Sequence, residues 1–63
     1  MNKFKPNKFY KYKYSPDDVV FQVKRIKKLT PESITLVVYW LGAGIEQDIV
    51  ITKDNVGNYT ESI

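Results

Sequence analysis

An all-β fold of five short strands is predicted for this 63-residue chain from three observations. The run Ile34-Thr35-Leu36-Val37-Val38-Tyr39-Trp40-Leu41 is uncharged and almost wholly β-branched or aromatic, as expected of a strand covered on both faces. Lys8–Tyr14 alternates strictly, with Tyr10, Tyr12 and Tyr14 on one side and Phe9, Lys11 and Lys13 on the other. Turn-forming residues at Ser15–Asp18, Leu29–Ser33, Gly42–Gly44 and Lys53–Asn58 separate the apolar segments.

Taken in order, Met1–Asn7 reads as an extended N-terminal arm, because Pro6 biases Lys5 away from helical geometry. The alternating segment Lys8–Tyr14 follows as the first strand. Ser15-Pro16-Asp17-Asp18 carries the cap, proline and early acids of a helix start, and a helix over Val19–Leu29 would align Val19, Val23 and Ile26. The density of Val and Phe in Val19–Val23, and lysines with no Glu four residues before them, favour a strand. In that strand Phe21 and Val23 share a face while Ile26 falls out of phase, so a β-bulge or strong bend is predicted near Lys24-Arg25. Thr30 and Pro31 suit a turn that joins this long second strand to the apolar third. Ile45–Thr52 forms a fourth strand with Ile49 and Ile51 inward, Lys53–Asn58 a tight or 3₁₀ turn, and Tyr59–Ile63 a short last strand. The predicted core is Phe9, Tyr12, Phe21, Val23, Ile26, Ile34, Leu36, Val38, Ile49 and Ile51.

A chain this short folds as one domain, residues 1–63, and buries only about 60% of the surface of its unfolded form. It contains neither Cys nor His, so disulfides, thiolate or imidazole metal sites and Cys or His nucleophiles are excluded. The lack of cysteine and of an apolar run in Met1–Lys5 leads to a cytoplasmic expectation, and the uncharged window Ile34–Ile45 falls short of the roughly 20 residues of a membrane helix. Charge is unevenly spread: nine of the ten bases stand in Met1–Lys28 beside two acids, while Leu29–Ile63 holds Lys53 against five acids. Such polarity suits a polyanionic partner or an acidic protein surface, although lysines at sheet edges also serve solubility alone.

The arm, the first strand, a long second strand bent at Phe21-Gln22-Val23-Lys24-Arg25-Ile26, two further strands and the turn at Asp54–Tyr59 before a short fifth together resemble the SH3-like small barrel. The resemblance covers nearly the whole chain and implies a closed five-stranded barrel with one 3₁₀ turn before the last strand. The chain lacks the Ala-Leu-Tyr-Asp-Tyr opening of true SH3 domains and the glycine-centred repeat of KOW modules. Tudor-like members use aromatic cages, to which Tyr12, Tyr39 or Trp40 would correspond. In size and composition the chain also resembles small phage or prophage accessory proteins of low-GC bacteria, for which a binding role is implied.

No catalytic constellation stands out. Asp17-Asp18 reads as a solvated turn, Glu46 and Asp48 as partners of facing lysines, and Gly42-Ala43-Gly44 lacks the lysine of a phosphate loop. Ser and Thr have no base to activate them. The chain is therefore expected to be a binding module without catalytic residues, metal, cofactor or small-molecule substrate. The first expectation is a nucleic-acid-binding small barrel, in which Lys11, Lys13, Lys24, Arg25, Lys27 and Lys28 converge into one phosphate-binding stripe and Tyr10 or Tyr14 stacks on bases. The alternative is a protein-interaction module anchored by a rim of Tyr39, Trp40 and Leu41.

Overall fold

A computed structural model describes residues 3–62. Met1, Asn2 and Ile63, which belong to the expected arm and last strand, lie outside the described residues. The strands are β1 (Phe9–Tyr12), β2 (Phe21–Leu29), β3 (Ser33–Trp40), β4 (Ile45–Thr52) and β5 (Tyr59–Ser62), with a 3₁₀ turn at Val56–Asn58. Val19–Leu29 is thus not helical: Pro16 and Val19 instead close a turn, Val19 N–H to Pro16 C=O at 3.0 Å, from which the chain enters β2. Among the described residues no helix is long and apolar enough to cross a membrane.

All five strands form one antiparallel sheet in the order β4-β3-β2-β1-β5. The expected closure into an SH3-like small barrel does not occur. β4 pairs only with β3 and β5 only with β1, so the two ends of the sheet stay unjoined. In place of a closing ladder, the arm lies against the core face of the sheet. Pro6 and Asn7 turn the chain, with Asn7 in the left-handed region at φ 71° and its N–H bonded to Val23 C=O at 2.7 Å. Asn tolerates that conformation better than most residues. The turn returns Phe4 to the core, where it is fully buried and edge-on to Tyr10 with ring centroids 4.9 Å apart. The Tyr10 hydroxyl accepts from Lys5 N–H at 2.8 Å and donates to Lys3 C=O at 3.2 Å, which ties the arm down.

The core face combines Phe21 and Val23 of β2, Ile34, Leu36 and Val38 of β3, Ile51 of β4, Tyr10 and Phe4, with Ile26, Ile49, Trp40, Val56 and Tyr59 packed around them. Two of the ten predicted core positions differ. Phe9 opposes Gln22 and Ser62 on the outward face and is half-buried, while its neighbour Tyr10 opposes Phe21 and takes the inner place. Tyr12 does face inward, but at the end of its strand, against Tyr59 at 5.3 Å, and is half-buried. That neighbourhood holds the Tyr59 hydroxyl proton more tightly than usual, through burial first and the Tyr12 phenol second.

β2 carries two register shifts against β3, one between Val23 and Arg25 and one between Ile26 and Lys28. The first is the bulge that the phase of Ile26 predicts. Both follow from one pattern, Val23-Lys24-Arg25-Ile26-Lys27-Lys28-Leu29, in which apolar residues recur every third position. A regular strand alternates every second residue, so each bulge absorbs one base and returns the next apolar residue to the inner face, Ile26 against the core and Leu29 at the exposed end of the strand. Val23, Ile26 and Leu29 then oppose Val38, Leu36 and Ile34, whereas Arg25 and Lys28 oppose Val37 and Thr35 on the outer face.

Candidate interaction surface

The two bulges collect Lys24, Arg25, Lys27 and Lys28, all exposed, on one half of β2. Lys27 reaches across β3 to Asp48 of β4, 2.6 Å away, and so spans the strand at Val37, the residue opposite Asp48. Val37 is 5% exposed although it points away from the core. The outer face is thus basic along β2, apolar along the middle of β3 and acidic at Glu46 and Asp48 of β4. The division of charge along the chain becomes a division across the sheet.

The other expected bases lie elsewhere. Tyr10 pairs with Phe21, the first residue of β2, so Lys11 and Lys13 lie beyond that end of β2. At about 3.3 Å per residue, Lys13 and Lys28 stand on the order of 25 Å apart along the sheet. Lys11 is paired with Asp17 at 2.9 Å, and Lys13 sits over the Tyr14 ring at 5.2 Å. The six bases therefore form two groups and no single stripe. Of the two candidate stacking residues, Tyr10 is in the core and presents no free ring face. Tyr14 is 70% exposed, edge-on to Tyr12 at 5.4 Å, and borders Lys11 and Lys13 rather than the β2 group.

Tyr39, Trp40 and Leu41 are also divided. Tyr39 opposes Gln22 and Glu46 on the outer face. Trp40 lies on the inner face, edge-on to Phe21 at 5.2 Å, with its indole N–H donated to Gln47 Oε1 at 2.7 Å. Leu41 follows β3 and is exposed, its N–H bonded to Val20 C=O at 3.1 Å. That bond joins the β3–β4 turn to the approach to β2 and creates two shallow apolar depressions that share Val20. One, of ≈ 310 Å³, is lined by Asp18, Val19, Val20, Trp40, Gly42 and Ala43. The second, of ≈ 260 Å³, is lined by Phe9, Val20, Leu41 and Ser62. Both lie at or below the small end of the range of about 300–1,000 Å³ for small-molecule sites, a size suited to single side chains of a partner. Val19, Val20 and Ala43 are absent from the expected rim; the signal for them is Val20, an aliphatic residue out of phase with Val19, Phe21 and Val23.

Among the described residues no group of three or more His, Cys, Asp or Glu is placed to hold a metal ion. The chain matches no family model, no curated protein and no solved structure. The expected kinship with SH3-like families and with phage or prophage accessory proteins is accordingly corrected: the sheet is open, and no match supports the compositional likeness.

Proposed function

We propose that this chain is a non-enzymatic protein-interaction module whose contact surface is the apolar rim of Val19, Val20, Trp40, Leu41 and Ala43. The observation that carries this reading is the pair of depressions meeting at Val20, which combine exposed aliphatic side chains with a half-buried tryptophan. Aromatic anchors in partly desolvated surroundings supply much of the energy of protein interfaces. A side-chain inventory without Cys or His supports binding over catalysis, and the lack of cysteine in a domain this small supports a cytoplasmic setting.

Nucleic-acid binding is the second reading, favoured by one observation: the double bulge that brings Lys24, Arg25, Lys27 and Lys28 together. Its phosphate contacts would come from Lys24, Arg25 and Lys28, since Lys27 is engaged by Asp48.

Salt separates the two, because phosphate contacts weaken steeply with ionic strength and apolar contacts do not. The test is affinity capture at low and high salt with the parent chain, Leu41→Asp, and a triple Lys24→Ala, Arg25→Ala, Lys28→Ala variant, each first checked for an intact amide spectrum. The rim reading expects a partner that is retained at high salt, lost with Leu41→Asp and kept by the triple variant. Capture that disappears with salt and with the triple variant, yet survives Leu41→Asp, would transfer the function to the β2 bases.

A further inference from the structure

The two ends of the open sheet are not alike. β5 has four residues, and its Tyr59 carbonyl accepts from the Lys3 ammonium. β4 has eight, pairs with β3 without a register shift, and contains no Pro, Gly, Lys or Arg. Natural edge strands are commonly blunted by shortness, charged side chains, proline or a bulge, and of these β4 has only the carboxylates of Glu46 and Asp48.

The exposed groups of that edge can be assigned. Lys53 N–H bonds Glu32 C=O at 2.9 Å, which marks this pair, one step beyond Ser33–Thr52, as hydrogen-bonded. In an antiparallel ladder such pairs alternate, so Ile45, Gln47, Ile49 and Ile51 direct their main-chain groups to β3, and Glu46, Asp48, Val50 and Thr52 direct theirs outward. Thr52 is already satisfied: its N–H bonds Asn55 Oδ1 at 3.0 Å and its C=O accepts Asn55 N–H at 3.1 Å. Glu46, Asp48 and Val50 have no strand beside them among the described residues. Their side chains share the outer face, two carboxylates followed by a valine that is 60% exposed.

This charge pattern decides the occupant. A second copy pairing β4 with β4 would set Asp48 against Asp48 or Glu46 against Asp48, and like charges directly opposed destabilise a ladder. The remaining shifts, Asp48 against Val50 or Val50 against Val50, both require Thr52, which Asn55 has already capped. We propose that the outer edge of β4 accepts an extended basic segment of a partner protein as a sixth, antiparallel strand. Lys or Arg of that segment opposes Glu46 and also Asp48, whose carboxylate it shares with Lys27 of β2, 2.6 Å away, and an aliphatic residue opposes Val50. Read from its N-terminus, the segment is aliphatic, any residue, basic, any residue, basic. Main-chain hydrogen bonds supply affinity, and the acids select the sequence. This surface shares no residue with the Val20 rim, so either can fail alone.

The probe is the peptide acetyl-Thr-Val-Ile-Lys-Thr-Lys-Gly-amide, compared with the same peptide carrying Glu in place of both Lys, each added to the full chain. Amide hydrogen exchange is followed residue by residue. Exchange is expected to slow at Glu46, Asp48 and Val50 with the Lys peptide and to stay unchanged with the Glu peptide. Glu46→Lys is expected to weaken binding by about five- to tenfold, as one attractive cross-strand pair becomes repulsive. Val50→Pro removes one outward N–H without touching the β3 ladder and is expected to abolish the slowing. No slowing at these three amides, or equal slowing by both peptides, would overturn the proposal. So would protection of the three amides that precedes peptide and grows with protein concentration, which would make a second copy the occupant. Peptide-induced shifts confined to Trp40 and Leu41 would also overturn the edge site while leaving the rim reading standing.

Discussion

Phe4 shows how much of this fold rests on single residues outside the regular strands. It lies in the arm, five residues before β1, yet it is as buried as the centre of β3 and touches both Tyr10 and Tyr59. Removing it would leave a void on the core face and free the arm that Tyr10 holds. Phe4→Ala is expected to cost about 3–5 kcal/mol, measured by urea unfolding, a loss comparable to the total stability of so small a domain. A variant as stable as the parent would show that the arm merely lies on the sheet. Neither Phe4 nor the inward position of Tyr10 was legible in the sequence. A strand with aromatics at Phe9, Tyr10 and Tyr12 has apolar character on both faces, and only the pairing of Tyr10 with Phe21 decides between them.

The turns and the bulged strand make a different case at the scale of elements. The boundaries of all five strands were readable to within a few residues, because each is flanked by residues with a stated backbone preference. At Leu29–Ser33 the Thr30 hydroxyl accepts from the N–H groups of Glu32 and Ser33, at 3.2 and 3.0 Å, as its place before Pro31 suggests. The first bulge was readable from Ile26; the second obeys the same three-residue spacing at Leu29. In the β3–β4 turn, Gly44 adopts φ 68° and its N–H bonds Trp40 C=O at 2.8 Å, while a methyl group at Gly42 would meet nothing within 4 Å. Gly44→Ala is therefore expected to cost on the order of 1–2 kcal/mol, and Gly42→Ala to be neutral or stabilising by up to about 1 kcal/mol. Thermal melting of the two variants checks this, and equal effects would contradict the assignment of the turn to Gly44.

For the whole molecule, the decisive feature is that the sheet does not close. Alternation and turn signals specify which residues face inward and which strands follow one another in a hairpin. They say nothing of whether the outer edge of β4 meets β5, because a strand pairs through main-chain groups that every residue carries. The same limit explains the sites. The bases of β1 and β2 are legible as residues, but their separation along the sheet is set by the register of Tyr10 with Phe21. The rim at Val20 likewise needs the contact of the β3–β4 turn with the start of β2. An open edge is where this molecule differs from the barrel that its strand order suggests, and it exposes main-chain groups that a closed barrel would use internally.

Residue-resolved amide hydrogen exchange along β4, on the chain alone and at low concentration, tests that claim most directly. Protection is expected to alternate, with slow exchange at Gln47, Ile49 and Ile51 bonded to β3 and fast exchange at Glu46, Asp48 and Val50 facing outward. Uniform slow exchange from Glu46 through Ile51 would mean that the outer edge is paired and the sheet is closed.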